Sequence, residues 1–373
     1  MELDMLRSKI DAVDEKLLPL FLERMALGGE VAREKKKLGA PILSEARERE
    51  ILSRVTKQSG DMDDYARQLY GTLFTLSKSY QETLTEPDAP CPVPEMSDAG
   101  FPKKAVVACQ GVLGAYSQQA ADQAFGYADI MYMRTFEGVF QAVEKGLCRF
   151  GMLPIENSAH GSVTEVYDLM RSHRFSIVRA VKLHVSHSLL AQKGAELKDI
   201  KVILSHEQAV GQCGDFLAGL KNVEVRLCEN TAVAAKQVAE GGDKSVAAIS
   251  SENCAALYGL SVLKSRIQNT DNNYTRFIVI EKTPTVYPGA NKISLLFSLP
   301  DRPGALADIM ARFSTHMLNL SKLESRPVEG SDFHYVFYVD LEAAALDPEV
   351  RRLLTVLSLE LKQFTFLGAY QEV

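Results

Sequence analysis

The sequence predicts a multidomain chain with three parts: an all-α helical segment, an α/β domain of two lobes, and a small α+β module of ferredoxin-like plan. Three observations predict it. Residues 1–84 carry apolar residues at three-and-four spacing. Residues 105–282 alternate short apolar runs with helical patterns, and residues 293–373 change rhythm to β-α-β-β-α-β. Five of the fourteen prolines (Pro87, Pro90, Pro92, Pro94 and Pro102) fall between the first two parts. At 373 residues the chain has room for two or three domains of roughly 100–200 residues each.

Composition narrows the function class. An apolar share of 46% with 24% charged is ordinary for a globular protein. The apolar run at Leu295–Phe297 falls far short of the roughly 20 residues a bilayer crossing needs. Glu2 and Asp4 make Met1–Lys9 unlike a signal peptide. A net charge of −6 without a basic block argues against a nucleic-acid partner. Small anionic substrates stay open, because a few local arginines outweigh that charge. The six cysteines show no CxxC spacing and read as reduced thiols in a cytoplasmic protein. The seven histidines form no HExxH, so no metal site is expected.

The expected segments are 1–85 helical, 86–104 a semi-extended proline-rich linker, 105–284 α/β, and 292–373 α+β. In the first, Leu3, Leu6, Ile10, Val13, Leu17, Leu18 and Phe21 form a helical stripe. Further helices are expected over about 45–57 and 64–83. Pro19 should kink the first helix, and Gly28-Gly29 should weaken it. Three helices bury little core alone, so self-association is expected. In the second segment, strands at 105–109, 150–154, 202–204, 223–227 and 246–249 alternate with helices, as in a mostly parallel sheet. A strand over 276–281 closes it. In the third, a turn at Asp301–Gly304 opens a helix over 305–314.

The chemistry-bearing residues cluster by segment. Arg24 and Lys35 lie eleven positions apart, about 20° from whole turns, so one helix face carries both cations. Arg7 lies about 100° away and does not serve that face. Ser77 and Gln81 share a face at i, i+4. Together, Leu6-Arg7-x-x-Ile10-Asp11-x-x-Asp14-x-x-Leu17, Glu23-Arg24, Lys35, Arg47-Glu48 and Ser77-x-x-x-Gln81 resemble the all-helical chorismate mutases. Where that family often has an acid one turn before Arg47, this chain has Ser44, placed to cap the second helix. The resemblance implies two intertwined chains. It assigns Arg7 from the partner and Arg24 to the carboxylates, Lys35 and Gln81 to the ether oxygen, Glu48 to the ring hydroxyl, and Arg47 and Ser77 to the pocket wall. Chorismate rearranges to prephenate by a pericyclic step, so positioning and charge stabilisation are all the site must supply.

In the second segment Gly111-Val-Leu-Gly114-Ala-Tyr-Ser117 joins a strand to a helix, a weak anion-binding signal. It is not GxGxxG, which argues against a nicotinamide cofactor. With Pro154-Ile-Glu156-Asn157-Ser158-x-x-Gly161, Ser205-His206-x-Gln208-Ala209, Glu229-Asn230-Thr231-Ala232 and Asn273-Tyr274-Thr275-Arg276-Phe277, it resembles prephenate dehydratase. Val112 and Glu207 stand where that family usually has prolines. The resemblance implies two lobes of periplasmic-binding-protein type with prephenate between them. It makes Thr275 the principal catalytic residue and Arg276 a carboxylate ligand. Asn157, Ser158, Ser205, His206, Gln208 and Thr231 complete the cleft. No cofactor or metal is implied.

Gly304-Ala305-Leu306 and Glu324-Ser325-Arg326-Pro327 resemble the regulatory ACT domain. That likeness implies L-phenylalanine at an interface between two such modules, held by Gly304, Ala305, Leu306, Glu324, Ser325 and Arg326. The whole chain thus resembles the bifunctional chorismate mutase–prephenate dehydratases of phenylalanine biosynthesis. It is expected as a homodimer or higher homo-oligomer, acting on chorismate and prephenate with phenylalanine as allosteric effector and with neither nucleic acid nor membrane as partner. Two rivals remain: a monofunctional dehydratase with a weak or lost mutase, and a non-catalytic aromatic amino-acid sensor. Arg24, Lys35, Gln81 and Thr275 separate them, because a sensor needs no such set in two places.

Overall fold

A computed structural model describes residues 2–38, 45–84, 89–328 and 335–373. The expected cap at Ser44 and the first linker positions, 86–88, lie outside the described residues. The chain divides into two compact units, Met1–Val93 with Ile293–Phe366 and Pro94–Lys292 with Leu367–Val373.

The first unit begins with α1 (Glu2–Leu38), α2 (Glu45–Gln58) and α3 (Asp63–Thr83). Helix α1 continues through Pro19 and through Gly28-Gly29, so the expected weak points do not interrupt it. The glycines have a packing reason. A Cβ on Gly28 would lie 2.9 Å from Ser77 Oγ, and one on Gly29 would lie 2.9 Å from Leu84 Cδ1. They lose up to about 1 kcal/mol each in helix propensity and let α1 and α3 approach closely. Gly29 and Ala32 are the buried residues of α1, whereas Leu6, Ile10, Val13 and Leu17 are exposed. Helix α3 buries two faces. Phe74, Ser77 and Gln81 share one; Thr75, Ser79 and Glu82, all polar, share the other.

The C-terminal part of the first unit follows the order expected. The second unit comes between in sequence, with β1 (Lys104–Gln110), α4 (Tyr116–Phe125), β2 (Tyr127–Met133), α5 (Phe136–Glu144), β3 (Phe150–Asn157), β4 (Gly161–Ser162), α6 (Thr164–Ser172), β5 (Ser176–His184), β6 (Ser188–Ala191), β7 (Val202–Ser205), α7 (Glu207–Gln212), α8 (Gly214–Ala218), β8 (Glu224–Leu227), α9 (Thr231–Gly241), β9 (Val246–Ser250), α10 (Glu252–Tyr258), β10 (Ser261–Lys264) and β11 (Tyr274–Glu281). Then β12 (Lys292–Ser298), α11 (Ala305–Thr315), β13 (Asn319–Pro327), β14 (Tyr335–Glu342), α12 (Pro348–Glu360) and β15 (Thr365–Glu372) complete the β-α-β-β-α-β series. Strands β13 and β14 pair antiparallel from Asn319↔Glu342 to Pro327↔Tyr335. Helices α11 and α12 pack on the polar face of α3.

The second unit holds two sheets. One runs β5-β11-β3-β1-β2, with the last residues of β15 parallel to β5. The other runs β10-β6-β9-β7-β8. Neither is mostly parallel, which corrects the sequence expectation. Strand β11 is antiparallel to both β3 and β5, and β6 is antiparallel to β9 and β10. The reason is the double crossing between lobes. The chain leaves the first sheet after β5, enters the second at β6, and returns from β10 to β11. Residues 185–187 and 265–273 are those crossings. Val107, Phe125, Phe150 and Met152 build the core of the first lobe. Leu190, Ala234, Ala248 and Cys254 build part of the second.

The proline-rich stretch is not a free linker along its described length. Ser97 N–H donates to Val286 O, and the Phe101 ring lies 5.0 Å from Phe125 and 5.2 Å from Tyr287. One aromatic residue among the prolines anchors the segment to the core.

Candidate active sites

The second unit has a cleft of about 330 Å³ between its lobes. Asn157, His206, Gln208, Thr231 and Thr275 line it, as do Tyr116, Ser117, Glu165, His187, Gln212 and Glu229. Three expected residues do not. Ser205 is fully buried and donates to Ile249 O, fastening β7 to β9. Ser158 donates to Asn272 O and accepts from Tyr274 N–H, closing the turn after β3. Arg276 forms ion pairs with Glu156 at 3.2 Å and Glu372 at 3.8 Å. The cause is strand alternation: Thr275 and Phe277 point into the cleft, so Arg276 points to the other face of β11. Its guanidinium is thus held among these carboxylates and is not part of the cleft lining.

The hydrogen-bond chain behind Thr275 has a fixed direction. The backbone N–H groups of Ala159 and His160 donate to Asn157 Oδ1 at 2.9 and 3.1 Å. A backbone N–H can only donate, so this oxygen is identified and the amide orientation is settled. Asn157 Nδ2 then donates to Thr275 Oγ1 and to Asn273 Oδ1, both at 2.9 Å. Asn273 Nδ2 donates to Gln212 Oε1 at 2.8 Å, and His187 Nε2 lies 2.7 Å from the same oxygen. His187 therefore carries its proton on Nε2. Burial lowers its pKa, so the ring is neutral. Because Thr275 Oγ1 accepts from Asn157, its own hydrogen is directed to another acceptor. The hydroxyl lines the cleft, so that acceptor can be a bound ligand.

Among the described residues lining the cleft there is no lysine or arginine. Polar groups for an anion come instead from helix starts. Tyr116 and Ser117 open α4, and Thr231 opens α9, whose cap Asn230 accepts from Val233 N–H at 2.8 Å. Two helices thus aim their N-terminal dipoles at one cleft. Gly114 makes the first turn possible: it has φ +88°, and a Cβ there would lie 2.8 Å from Cys254 Sγ. His206 caps α7 by accepting Gln208 N–H on Nδ1 at 3.3 Å. Burial lowers its pKa, so it too is neutral.

In the first unit, Arg24 on α1 reaches α3 one turn before Ser77 and Gln81. Arg24 Nη1 donates to Leu73 O at 3.2 Å, with the guanidinium 5.6 Å above the Phe74 ring. Gln81 Nε2 donates to Ser77 Oγ at 3.1 Å, both side chains buried. Glu48 reaches the same helix through Lys78 at 3.4 Å, a partner the sequence spacing does not single out. Lys35 is half-buried on the same helix as Arg24. Arg47 pairs with Glu50 at the surface, at 2.7 Å. Arg7 is 68% exposed beside Asp4, about 26 Å along α1 from Arg24.

In the C-terminal module, Gly304 has φ +84° and caps α11, with buried Ala305 and half-buried Leu306 following. Glu324 and Arg326 lie on one face of β13 and Ser325 on the other. A pocket of about 370 Å³ lies between residues 298–300 and 360–363, and none of these six expected residues lines it.

The class defined by fold and site is an enzyme that pairs a helical segment with a two-lobed cleft and a small βαββαβ module. The family models agree in detail: chorismate mutase type II matches residues 6–82, prephenate dehydratase residues 107–285, and the ACT domain residues 293–358. A bifunctional chorismate mutase/prephenate dehydratase of Enterobacter agglomerans is 32% identical over 98% of this chain and 95% of its own. Arogenate dehydratase/prephenate dehydratase 1 of Arabidopsis thaliana is 38% identical over 85% of this chain and 84% of its own. A prephenate dehydratase from Arthrobacter aurescens, solved in complex with L-Phe, superposes with a TM-score of 0.64 at 30% identity, covering 71% of this chain and 90% of its own. The chain belongs to the bifunctional chorismate mutase/prephenate dehydratases. It converts chorismate to prephenate and prephenate to phenylpyruvate, an isomerase joined to a carbon–oxygen lyase.

Proposed function

We propose that Thr275 donates the hydrogen bond, and then the proton, that releases the ring hydroxyl of prephenate. In the reaction the bond from ring carbon to carboxylate breaks, and its electron pair enters the ring. The carbon–oxygen bond opposite breaks, the leaving hydroxyl takes the Thr275 proton to become water, and solvent entering the cleft returns a proton to the Thr275 oxygen. Carbon dioxide and phenylpyruvate are the other products. A threonine hydroxyl is a weak acid, so its use here is positioned donation to an oxygen that becomes strongly basic as it leaves. The observation that carries this reading is the bond from Asn157 Nδ2 to Thr275 Oγ1. The helix starts at Tyr116-Ser117 and Thr231 hold the substrate carboxylates, in place of the arginine the sequence offered.

In the first unit Arg24 takes a chorismate carboxylate, Lys35 and Gln81 the ether oxygen, and Glu48 the ring hydroxyl, with Ser77 orienting Gln81. Arg7 acts in the site of a second copy. The exposed stripe of α1, Leu6, Ile10, Val13 and Leu17, supports that homodimer, since a face of this size is stable only when covered. Phenylalanine inhibits through the ACT module, with Gly304–Leu306 and Glu324–Arg326 meeting across two copies. All six thiols are free, which supports a reducing, cytoplasmic setting. No described helix is long and apolar enough to cross a membrane.

A second substrate follows from Glu165 and Glu229 in a cleft without lysine or arginine among its described lining residues. They suit an ammonium group, and arogenate is prephenate with an ammonium in place of the keto oxygen. The test is to supply chorismate, prephenate and arogenate separately and follow each product. Phenylpyruvate from the first two establishes both sites, and phenylalanine from the third establishes the wider specificity. Phenylpyruvate from prephenate but none from chorismate would mean an inactive mutase.

A further inference from the structure

Helix α3 is a wall shared by two modules. One face, with Ser77 and Gln81, belongs to the mutase site; the other packs on α11 and α12 of the ACT module. The second face is held by charge. Arg312, on α11, is 5% exposed and Glu82 is 4% exposed. Arg312 Nη2 donates to Glu82 Oε1 at 3.1 Å, and Nη1 lies 2.7 Å from Glu360 Oε2, at the end of α12. One turn earlier, Ser79 Oγ lies 3.3 Å from His316 Nε2. Glu82 follows Gln81 directly in the last turn of α3, where the ladder of backbone bonds ends and side-chain anchors set the geometry.

We propose that Arg312 is a positioning residue for the mutase reaction: by clamping Glu82 to both ACT helices it fixes the last turn of α3, and so the direction of the Gln81 amide. This rests on the reading of Gln81 as a substrate contact. An apolar residue would fill the same space without fixing a direction; the hydrogen bond from Nη2 to Glu82 together with the close ion pair to Glu360 does fix one. Burial pushes the Glu82 carboxyl upward and Arg312 pulls it back down, so without its arginine Glu82 is driven toward the neutral form and the clamp is lost rather than replaced. Burial also works against the charge on Arg312, yet Glu82 and Glu360 hold its pKa above the ordinary value.

The test uses the full chain, with dehydratase turnover as internal control. Three variants are compared with wild type: R312M, R312K, and the double variant E82Q/R312M, which removes the buried charges together and keeps the volume. The expected result is a mutase kcat at least about tenfold lower in R312M, with KM shifted less than about threefold, dehydratase kcat intact, and partial recovery in R312K. The double variant should regain thermal stability without regaining mutase kcat. A mutase kcat within about twofold of wild type in R312M or in the double variant overturns the proposal. So does a mutase loss that simply follows melting temperature. Q81A is assayed alongside. If Q81A loses turnover while R312M does not, only the clamp is wrong. If Q81A turns over normally, the reading of the site fails and the clamp with it.

Discussion

The amide of Asn157 donates to the hydroxyl oxygen of Thr275 at 2.9 Å, and its own oxygen is fixed by two backbone N–H groups. Asn157 therefore determines where the Thr275 hydrogen points. Asn157→Asp replaces the donor with an acceptor, and Thr275 then donates to the aspartate instead of the substrate. Dehydratase kcat should fall on the order of a hundredfold with a small change in KM. Steady-state kinetics on prephenate checks this, with mutase turnover as control.

Gly28→Ala isolates the close approach of α1 and α3. The new methyl lies 2.9 Å from Ser77 Oγ, which rotates away and gives up its bond to Gln81. The gain in helix propensity, up to about 1 kcal/mol, offsets part of the crowding. Melting temperature should change little while chorismate turnover drops about tenfold or more.

Arg7 and Arg24 sit too far apart on α1 to serve one site within one chain. Either Arg7→Ala or Arg24→Ala alone should abolish mutase activity. In a refolded equal mixture half of the dimers are mixed, and each mixed dimer has one intact site. The mixture should therefore recover about a quarter of wild-type mutase activity. No recovery would place both arginines in the same site.

His187 sets an acid limit on stability. Burial lowers its pKa from the ordinary 6.5, so the unfolded chain binds the proton first as pH falls. Stability is then full above about pH 6.5 and declines below it. His187→Gln should flatten the decline between about pH 6.5 and 5 in denaturant titrations.

Much of the fold was legible because apolar spacing and proline clustering mark it directly. The two sheets' mixed direction was not. Strands β5 and β6 fall between recognisable helices, and the crossing at 185–187 leaves no turn signature. In the cleft, Thr275 and Asn157 could be read from their motifs. Arg276 could not face the same way as its neighbour Thr275, and the two-residue period of a strand predicts as much. Gln212 stands one turn after Gln208 on α7, a spacing that could have found it. His187 and Lys78 have no such signal. The polar face of α3, Thr75, Ser79 and Glu82, reads as solvated surface; only packing against α11 reveals it as interior.

The measurement that tests the central claim most directly compares Thr275→Ser and Thr275→Val on prephenate. Serine keeps the hydroxyl and valine keeps the shape. The account predicts that the valine variant loses on the order of a hundredfold in dehydratase kcat while the serine variant stays within about tenfold of wild type and mutase turnover is unchanged in both. A valine variant within about threefold of wild type would contradict it, because the hydroxyl would then have no part in releasing the ring oxygen.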